Sequence, residues 1–229
     1  MQKKVAVVTG ASRGLGTELA IQLAGQGYTV VGVARSGPVD SRWLPLAEAG
    51  QLVEYVGDVA ASDTSLLAFE QADRLGACDL LINCAGAGVF GPVGSYTRQD
   101  VDDCLAANLI GTILFSETAF KRFRETGGTI VNVMSTASQV ARANEAVYCA
   151  AKWGARGYTE SLRIEAKGTG VRIVAVYPGG MKTSFWESAR GAQVDPSAFM
   201  DPADVAATIL SALQDRPNAY VSDIIINRK

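Results

Sequence analysis

The chain has 229 residues, 48% hydrophobic and 19% charged, with a formal net charge of −2. Such a chain buries a sizeable core, which excludes a disordered polymer, and its balanced charge without a basic block excludes nucleic acid as a main partner. It has no histidine, its four cysteines form no C-x-x-C pair and its apolar runs are short, so neither a metal centre nor a membrane span is expected.

Seven apolar runs read as strands, at 5–8, 29–33, 52–56, 80–82, 129–133, 172–176 and 220–226. Most are continuous rather than alternating, the pattern of strands covered on both faces. Between them, stretches at 15–26, 62–75, 100–125, 146–166 and 202–214 predict helices, the last with Asp201 as N-cap and Pro202 at its first position. Strand–helix alternation predicts an α/β fold: a doubly wound parallel sheet of the Rossmann type, about seven strands with helices on both faces, in a single domain spanning 1–229. The irregular stretch 182–200, with Gly191, Pro196 and aromatics read as exposed (Phe185, Trp186), is the expected substrate lid. The N-terminus runs straight into a strand-like segment rather than a signal peptide, and free cysteines fit a reducing compartment, so the expected location is cytoplasmic.

Between the first strand and first helix lies Thr9-Gly10-Ala11-Ser12-Arg13-Gly14-Leu15-Gly16. Glycines here let the backbone turn tightly against a pyrophosphate, and the helix N-terminus offers free N–H groups. The second strand ends Val33-Ala34-Arg35 with no acid to bind a ribose 2′-hydroxyl. Arg35 and Arg13 are placed to bind a 2′-phosphate instead, which points to NADP(H). Tyr148 and Lys152, four residues apart, share one helix face, and an ammonium near a phenol favours the phenolate. The phenol can then exchange a proton with a substrate oxygen.

These glycines, spaced G-x-x-x-G-x-G, and the Y-x-x-x-K pair resemble the short-chain dehydrogenase/reductase family, in motif order from Val5 to Ile226. The resemblance implies a catalytic set of Asn108, Ser135, Tyr148 and Lys152, with Ser135 binding the substrate oxygen and Asn108 holding a water that links the lysine to solvent. It implies cofactor contacts from Gly10, Ser12, Arg13, Gly14, Leu15 and Gly16, then from Ala34 and Arg35. Asp58 and Val59 would flank the adenine. Asn83, Ala85 and Gly86 match the family's Asn-Asn-Ala-Gly motif, whose second Asn is Cys84 here: either a lost polar contact or strand-end packing. Pro178, Gly179, Met181 and Thr183, with Tyr148 and Lys152, would order the nicotinamide.

The implied activity is hydride transfer between NADP(H) and a small-molecule carbonyl or alcohol carbon. A 3-oxoacyl-carrier-protein reductase is the alternative, with Lys121, Arg122 and Arg124 as a carrier-docking cluster or simply as cations at a helix C-terminus. A cofactor-sensing regulator is the non-enzyme alternative, against which stands retention of both Tyr148 and Lys152. An extended epimerase-type relative would need a longer C-terminal part. Family resemblance further implies a homodimer or homotetramer pairing helices 100–125 and 146–166.

Overall fold

Val5, Ala6, Val7 and Val8 have no accessible surface, so a strand with apolar residues on both faces has both faces covered. The computed structural model describes residues 3–214, 216 and 218–229; residues 1, 2, 215 and 217 of the expected 1–229 domain lie outside them. Its elements are β1 (Lys4–Thr9), α1 (Gly14–Gly25), β2 (Thr29–Ala34), α2 (Trp43–Glu48), β3 (Leu52–Val56), α3 (Thr64–Leu75) and β4 (Ala77–Asn83). After these come α4 (Arg98–Leu105), a π-helical turn (Ala106–Ile110), α5 (Gly111–Thr126), β5 (Gly128–Val133), a 3₁₀ turn (Thr136–Ser138) and α6 (Ala146–Glu165). The chain ends with β6 (Val171–Pro178), α7 (Phe185–Ser188), α8 (Pro202–Ala212) and β7 (Asp223–Ile226).

The sheet order is β3-β2-β1-β4-β5-β6-β7, with every pair parallel. One face packs Ala6 and Val8 against Leu19 and Leu23 of α1 and Ile209 of α8. The other packs Val5 and Val7 against Phe69 of α3, Phe115 and Phe123 of α5, and Leu162 of α6. Strand order reverses between β1 and β4, which opens a crevice at their C-terminal ends, where open α/β sheets bind ligands.

Four elements differ from the sequence expectation. Helix 100–125 starts earlier, at Arg98, because Thr97 and Asp100 form a reciprocal capping box. It is also interrupted by the π-helical turn, where the Asn108 side-chain amide donates to the Cys104 carbonyl at 2.8 Å and takes an acceptor of the helical ladder. α2 was not expected, since six residues including Pro45 are too few to show a period. The last strand begins at Asp223 rather than Tyr220. The Asp201 cap is as expected, its side chain accepting from Ala203 N at 2.8 Å. Among the described residues, no helix is long and apolar enough to cross a membrane.

Candidate active site

A cavity of about 490 Å³ opens along the C-terminal edge of the sheet and takes residues from the turns after β1 to β6. Its first wall is the glycine turn. Gly10 sits at φ +70°, and a Cβ there would lie 2.7 Å from Ala85 Cα, so only glycine permits this approach to the end of β4. A Cβ on Gly16 would lie 2.1 Å from the Gly10 carbonyl oxygen. Thr9 ties the two strand ends together, its hydroxyl accepting from Cys84 N at 3.0 Å and Ala85 N at 3.1 Å. Arg13, the N-cap of α1, makes no side-chain cap, and the first turn carries no acid. The helix N-terminus therefore keeps its N–H groups and partial positive charge for an anion, and this cradle fits a dinucleotide pyrophosphate.

Ala34 and Arg35 line the cavity at the end of β2, with Arg35 exposed. The next acid along the chain, Asp40, is held by Arg42, whose Nη2 lies 2.6 Å from Asp40 Oδ2 and also pairs with Glu18. No carboxylate is thus released toward this end of the cavity from that segment. Asp58 and Val59 line it after β3, where the Asp58 carboxylate accepts from Ala60 N at 2.9 Å.

Ser135, Tyr148 and Lys152 converge on the cavity from β5 and α6. Lys152 is 4% exposed; its Nζ donates to the Val133 carbonyl at 3.1 Å and lies 5.9 Å from the Tyr148 ring centroid. Burial pulls the Lys152 pKa down to about 8, with the Cys84 and Cys104 thiols opposing the shift. Burial pushes the Tyr148 phenol above its ordinary value of 10, while the Ser135 hydroxyl pulls it back. The sequence predicts an ammonium lowering the phenol pKa; in the structure the net shift is upward, with desolvation its largest cause. Burial likewise raises Cys84 to about 12 and Cys104 to about 11, so both thiols stay protonated and unreactive.

Asn108 is buried in the π-helical turn, its amide held by the Ala87 carbonyl at 2.7 Å and the Cys104 carbonyl. Its Oδ1 makes no hydrogen bond to the described residues. A Cβ on Gly86 would come within 2.9 Å of that oxygen and 3.8 Å of Lys152 Nζ, so the bare Gly86 leaves a polar space reached by both.

Of the residues expected from sequence, all but one line this cavity, including Ser12, Leu15, Ala85, Pro178, Gly179, Met181 and Thr183. The exception is Asn83. Its amide donates inward, to Ser116 Oγ at 3.0 Å and Asn132 Oδ1 at 2.9 Å, so it knits β4 to β5 and α5 rather than facing the cavity. Cys84 does line the cavity.

Segment 182–200 lies against the cavity, and Phe185 and Trp186 are half-buried rather than exposed. Trp186 stacks on Phe90 at 5.7 Å, Phe185 meets Tyr148 at 6.0 Å, and Trp186 meets Phe199 at 5.4 Å. The segment is fastened at three points. Phe90 N donates to the Arg190 carbonyl at 2.8 Å, Lys182 N donates to the Met200 carbonyl at 2.8 Å, and the Arg190 guanidinium pairs with Asp100. Phe90, Arg142, Glu145 and Arg228 also line the cavity and were missed in the sequence. Glu145 had a signal, lying one helical turn before Tyr148; Phe90 and Arg228 arrive only through tertiary packing.

Fold and site together define the class: a doubly wound α/β domain with an anion-binding glycine turn and a serine–tyrosine–lysine wall at its switch-point crevice. A family model for short chain dehydrogenases matches residues 4–193, and the chain belongs to that oxidoreductase family. A short-chain dehydrogenase/reductase structure from Vibrio parahaemolyticus is 36% identical with a TM-score of 0.84, covering 98% of this chain and 96% of its own. Sepiapterin reductase of Chlorobaculum tepidum is 28% identical, covering 98% of this chain and 96% of its own. The alcohol dehydrogenase of the archaeon Thermococcus sibiricus, solved with 5-hydroxy-NADP, is 26% identical with a TM-score of 0.86, covering 97% of this chain and 95% of its own.

Proposed function

We propose that this protein is an NADP(H)-dependent reductase of small carbonyl compounds, with Tyr148 as general acid in reduction and general base in the reverse direction. The observation that carries the reading is the convergence of Ser135, Tyr148 and Lys152 on a cavity that also contains the glycine turn. A bound nicotinamide supplies or accepts the hydride. Tyr148 stays protonated at neutral pH, as burial raises its pKa, and so is set to donate to the carbonyl oxygen. The Ser135 hydroxyl donates to the same oxygen and stabilises its developing charge. Lys152 holds positive charge beside the phenol as the proton leaves. Asn108 Oδ1, facing the space next to Lys152 Nζ, accepts a hydrogen bond in the path that returns the proton from solvent.

NADP(H) is favoured over NAD(H) by Arg13 and Arg35 at the cavity and by the absence of a carboxylate at Ala34. The carrier-protein alternative loses ground on geometry. Lys121, Arg122 and Arg124 stand near the end of α5, which leads into the start of β5, at the sheet edge opposite the cavity. Arg122 is also engaged by Asp73 at 3.5 Å and lies over the Phe69 ring. The test is NADPH oxidation with a panel of ketones and aldehydes, read as one alcohol formed per NADPH consumed. Binding of NADPH without carbonyl-dependent oxidation by any member of the panel would favour the regulator reading.

A further inference from the structure

Ser135 is the extended residue that leads β5 into the 3₁₀ turn Thr136–Ser138. Its hydroxyl accepts from Ala137 N at 3.1 Å, so one lone pair is used and its proton is left to be donated outward. The same hydroxyl lowers the Tyr148 pKa by hydrogen bonding. The Ser135 carbonyl takes two donors from Ser138, the backbone N at 2.9 Å and Oγ at 2.6 Å. Ser138 has no accessible surface. The direction of the Ser135 hydroxyl is therefore set by the turn, and whatever holds the turn holds the hydroxyl.

That hold comes from α6, the helix that carries Tyr148. Tyr148, Lys152 and Arg156 recur at intervals of four, which puts them in one row along the helix. Lys152 Nζ donates to the Val133 carbonyl at 3.1 Å, just before Ser135, and Arg156 Nη1 donates to the Ser138 carbonyl at 3.1 Å, just after it. Ser135 is thus bracketed by two cation–carbonyl bonds from its catalytic partner's own helix. The charge of Lys152 serves the phenol, but Arg156 does not line the cavity and has no part in the chemistry described above. Its guanidinium is half-buried, 5.5 Å from the Trp153 ring centroid and 5.8 Å from that of Tyr177. Among the described residues no carboxylate pairs with it. Glu160, one turn further along α6, is held by Arg163 at 3.0 Å instead. Two rings and one carbonyl fix the Arg156 guanidinium, and no ion pair competes for it.

We infer that Arg156 is a positioning residue for the proton-transfer step: it anchors the Thr136–Ser138 turn and so keeps the Ser135 hydroxyl aimed at the substrate oxygen. Arg156 acts through Ser135 alone. Small errors of aim are costly, since a misplacement of about 1 Å can lower a rate about 10²-fold. This inference rests on the carbonyl-reductase reading of the site, in which Ser135 donates to that oxygen.

The experiment is a double-mutant cycle of Arg156→Met and Ser135→Ala, singly and combined. Turnover is NADPH oxidation with a ketone that the parent reduces, and the alcohol is counted by mass spectrometry over hours so that slow variants stay measurable. Rates are expressed per NADPH-binding site from a fluorescence titration, which removes any unfolded fraction. Arg156→Met should lower kcat per site about ten- to hundredfold while NADPH Kd and carbonyl KM stay within about threefold of the parent. In the Ser135→Ala background the same substitution should cost less than about twofold, because the hydroxyl it positions is gone. A merely structural role would lower kcat by the same factor in both backgrounds, and that result would overturn the inference. So would an Arg156→Met kcat within about twofold of the parent. Should Ser135→Ala turnover fall below detection, the single variant decides: loss of kcat with Kd and KM kept supports the role, and losses in all three overturn it. Ser135→Ala turnover within about twofold of the parent would overturn the underlying role of Ser135, and this inference with it.

Discussion

Replacing Lys152 with Met should stabilise the ligand-free protein while disabling it. The ammonium is 4% exposed, and its pKa falls from 10.5 to about 8. That difference corresponds to a cost of about 3 kcal/mol for holding the charge inside at neutral pH. Met keeps most of the volume and removes the charge. It also abandons the Val133 carbonyl, which loses a 3.1 Å bond and about 1–2 kcal/mol. A net gain of about 1–2 kcal/mol remains, or roughly 2–8 °C in Tm for a chain of this size. The pH dependence carries the same signature. With a lowered folded-state pKa, the unfolded chain binds more protons between about 8 and 10.5, so parent stability attributable to Lys152 rises with pH through that window. Urea unfolding at pH 7 and pH 9.5 reads both effects. A Lys152→Met protein less stable than the parent at pH 7, or one with an undiminished rise toward pH 9.5, would show that the buried ammonium carries no such cost.

Arg35→Ala should weaken NADPH by about ten- to hundredfold with little change for NADH, and Ala34→Asp should shift preference toward NADH by adding a carboxylate that repels the 2′-phosphate; kcat/KM for both cofactors checks this, and an unaltered ratio would count against it. Arg190→Ala removes the pair with Asp100 that fastens segment 182–200, so carbonyl KM should rise about three- to fivefold and amide exchange across the segment should quicken; identical exchange in both proteins would argue against a fastened lid. Trp153 and Ile110 are 45% and 43% exposed, and the protein is expected to assemble as a dimer or tetramer by light scattering, with Trp153→Glu shifting the mass downward; a monomeric parent at micromolar concentration would contradict this.

Periodicity carried the sheet because β1, β2 and β6 are covered on both faces, and burial of that kind writes continuous apolar runs. Glycine spacing located the turn because Gly10 and Gly16 answer to backbone contacts that no side chain could tolerate. The π-helical turn at Asn108 was not legible, since it depends on one side chain bonding across its own helix. Asn83 was misplaced because a strand end has two faces, and position in a motif does not say which one a side chain takes; here it points to Ser116 and Asn132. The aromatic wall joins Phe90 to Phe185 and Trp186 across a long stretch of chain, which no local pattern reports. The direction of the Tyr148 shift also escaped the sequence, because the extent of burial is a tertiary quantity.

Comparison of the parent with Tyr148→Phe separates the proton transfer proposed for Tyr148 from cofactor binding. NADPH binding is followed by fluorescence, and turnover by carbonyl-dependent NADPH oxidation with alcohol product measured. The variant keeps the ring that packs against Phe90 and Phe185 and loses only the hydroxyl, so it should bind NADPH about as tightly as the parent. Its turnover should fall about 10²- to 10⁴-fold. Turnover within tenfold of the parent, with cofactor affinity intact, would contradict the account.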